Sequence, residues 1–207
     1  MKWTSAFRRF AEVFGATGCP SGNQGGYWLT NMNELVERAL RHGFSHASLL
    51  DVSTLAVRNE VRDMCRADKC NRYGKNWMCP PYCGTLKDNE RRMSEYESGL
   101  IVQTTGELED DFDYESMKDA GLRQKRLFAS FRSELTSDYP GLLPLGNGTC
   151  EICEKCACPD SACQFPEKAI SSMEAFGLVV SDVCEKNGIG YYYGPKTITY
   201  TGCYLLR

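Results

Sequence analysis

The residues best equipped for chemistry are cysteines. Residues 150–163 read CEICEKCACPDSAC, with five cysteines in fourteen residues, and four of them, Cys150, Cys153, Cys156 and Cys163, form a C-x2-C-x2-C-x6-C pattern. Cysteines repeated at two-residue gaps let the backbone curl around a compact inorganic core, each thiolate reaching a different iron, with a fourth ligand supplied from further along. Zinc knuckles instead present separate C-x2-C pairs with a dozen or more residues between them, so an uninterrupted triple favours a 4Fe-4S cluster over zinc. Cys158 offers another fourth ligand, but its link to Cys156 is too short, and Cys163 is preferred.

A second group runs from residue 65 to 83, where Cys65, Cys70, Cys79 and Cys83 are spaced C-x4-C-x8-C-x3-C. Pro80 and Pro81 stiffen the last link, and Gly84 permits the close backbone approach that a metal knuckle needs. Zinc ribbons use similar turns, so this quartet admits either an iron-sulfur cluster or zinc. Arg62, Arg66, Lys69, Arg72 and Lys75 surround it. They either offset the negative charge of a thiolate-ligated cluster and lower the cysteine pKa values, or form an ordinary solvated basic loop. Cys19, Cys158, Cys184 and Cys203 fall outside both patterns.

Other chemistries find little support. No H-E-x-x-H, phosphate-binding glycine motif or catalytic triad occurs, and His42 and His46, flanking the Gly43 turn, read as surface or capping residues. Six acids between Glu107 and Glu115 read as a solvated loop. A net charge of −3 gives no electrostatic footprint for nucleic acid. The tyrosines near the C-terminus are therefore expected to pack on strands rather than stack on bases. No segment approaches the roughly 20 apolar residues of a membrane span, and no apolar run of the signal-peptide type opens the chain. A cytoplasmic protein is expected, and in that reducing compartment clustered cysteines favour metal ligation over disulfides.

The elements that must position these cysteines follow from periodicity. The 207 residues, 42% hydrophobic and 25% charged, are those of an ordinary globular chain. Residues 1–30 read as a short N-terminal helix with Phe7, Phe10 and Phe14 on one side, then a Gly-rich loop, and residues 31–207 as a cysteine-rich metal-binding α/β domain. Asn31 is expected to cap a helix ending at Gly43, followed by a strand at 47–51 and a helix capped by Ser53 that turns Val57, Val61 and Met64 to the core and delivers Cys65. Then come a charged helix at 87–97, a buried strand at 100–104, a long helix at 117–135 with Phe128, Phe131 and Leu135 inward, and a short strand at 142–145. Pro166 is expected to open a helix that Gly177 stops, which would set Cys163 at a helix N-terminus suited to anionic thiolate. A short helix at 182–187 leads to a hairpin of 189–193 and 197–205 turning at Gly194-Pro195-Lys196. The fold class expected is α+β (or α/β): one compact domain with a mixed sheet, several helices, a C-terminal hairpin, and cysteine-rich loops on one face.

Over residues 30–205 the chain resembles a family of small cysteine-rich prokaryotic proteins described as predicted metal-binding. The resemblance rests on Cys65, Cys70, Tyr73, Trp77 and Cys79-Pro80-Pro81, and on Cys150, Cys153, Cys156, Cys163, Pro166-Glu167-Lys168-Ala169 and Ser172-Met173-Glu174-Ala175-Phe176-Gly177. Ser171 stands where the family pattern has proline, a departure that touches local geometry alone. The functional expectation is an iron-sulfur protein with up to two 4Fe-4S clusters, serving electron transfer or a partner enzyme, with a redox protein or enzyme as its partner. Two alternatives stand beside it: an enzyme that binds substrate at a cluster held by three cysteines, and a zinc-stabilised interaction module.

Overall fold

The computed structural model describes residues 24–207, with side chains from residue 33. Helix α1 (Gln24–His42) leads into β1 (His46–Asp51), a 3-10 turn (Val52–Thr54), and the short helices α2 (Asn59–Arg66) and α3 (Leu86–Met93). Strand β2 (Ser98–Glu107), the long helix α4 (Tyr114–Asp138) and β3 (Leu143–Gly146) follow. The chain closes with β4 (Ser171–Ser172), a 3-10 turn (Glu174–Phe176), α5 (Val180–Lys186) and β5 (Thr197–Leu206).

One mixed sheet in the order β1-β2-β5-β3-β4 organises the molecule. It is antiparallel except for the β3–β4 pair, so the fold is α+β with a mixed sheet, as expected. Side chains alternate between its faces because the strand period is two. Leu100, Val102, Tyr204 and Leu206 point to one side, where Leu35 and Ala39 of α1 and Phe128, Phe131 and Leu135 of α4 cover them. Ile101, Cys203 and Leu205 point to the other, against Leu50, Met173, Phe176, Leu178 and Val183. Each fully buried large apolar side chain stabilises the fold by about 1.5–3 kcal/mol. The second face is the one that carries the cysteine loops, because Met173 and Phe176 follow Cys163 directly and α2 packs on their 3-10 turn.

Several local expectations are corrected. Helix α1 runs through Asn31 from Gln24 onward, so Asn31 is no cap and Gly25 and Gly26 are helical rather than looped. The expected helix at 5–14 and most of the Gly-rich loop, with Cys19, lie outside the described residues. Asp51 rather than Ser53 does the capping, and it caps the 3-10 turn. Within α2, Met64 is 72% exposed while Arg62 is buried, so the inward stripe carries a charge that hydrophobic periodicity does not anticipate.

No helix opens at Pro166. Residues 166–168 make a single turn, closed by Lys168 N–H and Ala169 N–H donating to Phe165 O, and the chain then enters β4. Cys163 therefore has no helix N-terminus behind it. The C-terminal hairpin is also absent, because both edges of β5 are taken by β2 and β3. Residues 189–193 instead lie across β2: Gln103 donates to Gly190 O (2.8 Å), the Tyr193 hydroxyl donates to Gln103 Oε1 (2.7 Å), and Tyr193 stacks on His46 at 3.9 Å.

Candidate metal centre

The first quartet is laid out along a loop that begins at the end of α2. Cys65 sits half-buried in the last turn of that helix, Cys70 is exposed, and Cys79 and Cys83 are buried. Asp68 and Asn71, both at positive φ, turn the chain back on itself, and Asp68 accepts from Tyr73 N–H (2.7 Å) to hold the turn. Thr85 and Asp88 then form a capping box that starts α3 directly after Cys83. These four thiols share one electrostatic neighbourhood. Burial pushes the Cys79 thiol up to about 12, and repulsion from the Cys70, Cys83 and Cys65 thiolates acts in the same direction.

Arg62 supplies the positive charge there. It is 9% exposed, its Nη1 lies 3.9 Å from Cys83 Sγ, and it donates to Gly84 O (3.1 Å) and Ala175 O (3.0 Å). With the Asn89 amide nitrogen turned toward Cys83 O (2.9 Å), the Asn89 oxygen accepts from Arg62 Nη2 at 3.2 Å. Among the described residues no carboxylate pairs with Arg62, and its Nε has no partner at all. A guanidinium buried in this way needs an anion nearby to offset its lost hydration. Cys65 and Cys83 are the groups that face it: burial raises both thiols above their ordinary value, and the Arg62 charge opposes that rise. This orphaned donor fits a thiolate-ligated metal group held at the first quartet.

The second quartet converges on a cavity. Cys150, Cys153, Cys156 and Cys163 all line it, together with Ile152 and Phe165 from their own loop. Cys158 is buried, yet it does not line that cavity. Cys163 thus lines the cavity without the helix N-terminus that Pro166 was expected to open behind it. The opposite wall comes from the first quartet's loop, through Arg72, Asn76, Trp77 and Met78.

These wall residues are ones that cysteine spacing does not single out. Asn76 is 2% exposed, donates to Cys150 O (2.9 Å) and accepts from Met78 N–H (2.9 Å). The Trp77 indole donates to Ser161 O (3.0 Å). The two quartets are thereby stitched together, closely enough that a Cys150 thiolate contributes to raising the Cys79 thiol. An Asn-Trp pair just ahead of Cys79 is the one signal that could have pointed there. The basic residues also divide: Arg62 and Arg72 face the cysteines, whereas Arg66 pairs with Asp63 and Lys75 with Asp68.

Among the described residues no three cysteine, histidine, aspartate or glutamate side chains stand close enough together to hold a single metal ion. All eleven cysteines from Cys65 onward are free thiols. Cys184 and Cys203 are buried in the core against the sheet, remote in role from both quartets. His42 bonds Ser130 and Glu134 on α4, consistent with a structural role. No helix of the described residues is long and apolar enough to cross a membrane.

Compared with known proteins, residues 48–206 match the family model described as predicted metal-binding protein (DUF2284). No curated protein and no solved structure matches the chain.

Proposed function

Because the chain belongs to that family of predicted metal-binding proteins, we propose that it is an iron-sulfur protein working in electron transfer or in service of a partner enzyme. It would hold one 4Fe-4S cluster on Cys65, Cys70, Cys79 and Cys83 and a second on Cys150, Cys153, Cys156 and Cys163. The reading rests on the cavity walled by all four cysteines of the triple-repeat motif. Zinc draws its sulfurs to about 2.3 Å from one point. An inorganic cubane presents a separate iron to each thiolate, which the repeated two-residue gaps between Cys150, Cys153 and Cys156 favour.

Fully cysteine-ligated clusters, when bound, supply one-electron redox chemistry. The chain's own residues set the conditions for it. Arg62 places a desolvated positive charge beside Cys65 and Cys83, which opposes the rise that burial imposes on both thiols. Trp77 and Phe165 give the second cavity apolar surface that limits water, and Asn76 fixes the Cys150 carbonyl relative to the first loop. The hydrogen bonds from Asn76 to Cys150 O and from Trp77 to Ser161 O, which join the two cysteine loops, support a two-centre relay rather than two isolated sites.

Anaerobic purification followed by iron, sulfide and zinc analysis, with EPR before and after reduction, tests the proposal. About eight irons and eight sulfides per chain are expected for two such clusters. About one zinc per quartet with no sulfide would establish the zinc module instead.

A further inference from the structure

A groove of about 810 Å³ of open space lies on the far side of Cys150 from the four-cysteine cavity, between α4 and the segments 146–152 and 167–171. Cys150 and Ile152 line both spaces, so the groove abuts the second quartet directly. Its size lies in the range of small-molecule sites. Its walls combine an apolar base, including Phe128 and Ile170, with a stripe of α4 residues at helical spacing: Lys125, Arg126, Ala129 and Arg132. Ala129 is exposed in the middle of that stripe, and its short side chain leaves the space between the cations open.

The charges are poorly matched by the protein itself. Lys125 is engaged with Glu151 (2.6 Å) and Thr149 O (3.1 Å). Arg126, Arg132 and, across the groove, Lys168 have no carboxylate within ion-pair distance among the described residues. Burial holds the Arg132 guanidinium below its ordinary value, and Glu167, which also lines the groove, offsets this only in part, from beyond ion-pair distance. A cationic pocket with an apolar base in a chain of net charge −3 selects for an anion carrying an apolar body.

We infer that this groove is a binding site for a small organic anion, a carboxylate with an aromatic or aliphatic body, whose charged end meets Arg132 and Arg126 while its body lies over Ala129 toward Ile170. The placement of that anion beside a metal centre rests on the function proposed above; the groove's shape and charge do not. A ligand there would sit against the Cys150 side of the second quartet, where it can shield that side from solvent or be acted on.

Equilibrium dialysis of naphthoate against the full, metal-loaded chain tests the inference, with uncharged naphthamide as the control. Saturable binding at one site per chain is expected, with naphthamide failing to compete. Losing a charge-assisted hydrogen bond costs about tenfold or more in affinity, so Arg132→Gln should weaken binding by that factor and Arg132→Lys should restore part of it. Ala129→Trp fills the groove from a position outside both quartets and should abolish binding while leaving metal content unchanged. The inference is overturned if naphthoate does not saturate, if naphthamide binds equally well, or if Arg132→Gln and Ala129→Trp bind as the parent does. It is also overturned if binding emerges only after removal of residues 1–23, because the chain's own N-terminal segment would then be the occupant. Repeating the dialysis on Cys153→Ser separates the two readings: lost metal with retained binding leaves the groove standing, and retained metal with lost binding leaves the centre standing.

Discussion

A guanidinium buried without a carboxylate is costly to hold in a fold unless some other anion faces it, and Arg62 is held there by two backbone carbonyls and Asn89 while its charge looks toward Cys65 and Cys83. Replacing it by methionine keeps much of the volume and removes the charge. Residues that support metal ligands typically contribute 10–100-fold to metal affinity, so R62M is expected to weaken metal retention at the first quartet by roughly that factor. Competition with a graded series of chelators would measure it, and unchanged retention would assign Arg62 a packing role only. Asn76 is the comparable residue for the second centre. N76A leaves Cys150 O and Met78 N–H without their partner, a loss of about 1–3 kcal/mol for buried groups, and should release metal from the second quartet before the first. Metal analysis of N76A alongside C153A distinguishes a positioning effect from loss of a ligand.

At the scale of elements, the sheet and α4 meet at very short range. Gly202 of β5 lies under Phe128, where an added Cβ would come within 2.7 Å of the ring and 3.0 Å of Leu145 O. G202A must displace the ring or the neighbouring strand, and overpacking of this kind costs about 1–3 kcal/mol. Phe131, fully buried between α1, α4 and the sheet, should cost about 3–5 kcal/mol on truncation to alanine. Urea unfolding of both variants checks these values, and a shift for F131A below that of G202A would mean that α4 is not anchored as its contacts indicate. Tyr204 shows why such elements are hard to read one at a time. Its ring stacks on Phe128 at 4.2 Å and its hydroxyl donates to Phe128 O (2.7 Å), so a strand residue completes a helix from another part of the chain.

For the whole molecule, the consequence of the interlocked loops is that the two quartets should not behave independently. With Asn76 bonded to Cys150 and Trp77 to Ser161, removing one centre slackens the wall of the other. In the fully reduced protein, EPR is expected to show two interacting spins, and C153A should collapse the signal to a single unsplit species with the first quartet's metal also more easily chelated. Two non-interacting signals, each unaffected by loss of the other, would contradict the relay. Stripping the metal should likewise lower the unfolding midpoint, because a group held only by the folded chain adds its binding free energy to the stability of the fold.

Much of this was legible in the chain. The strands expected at 47–51, 100–104 and 197–205 and observed at 46–51, 98–107 and 197–206, the long helix with its inward Phe128, Phe131 and Leu135, and the clustering of the cysteines all follow from local periodicity and spacing, which act over a few residues. The family also follows, and the residues its model matches, 48–206, contain both quartets. What local pattern could not supply is anything set by long-range contact. The missing hairpin depends on β3 occupying the edge of β5, and the missing helix after Pro166 on β4 pairing with β3. Arg62 turns inward toward Cys83, twenty-one residues on, and the carbonyl of Ala175, both set by long-range packing. The sequence by itself determined that eight cysteines fall into two closely spaced quartets; only the tertiary structure decided that Asn76 joins their two loops and that Arg126, Arg132 and Lys168 line a groove beside Cys150 without an ion pair, because hydrogen bonds and charge pairing between distant segments leave no trace in spacing.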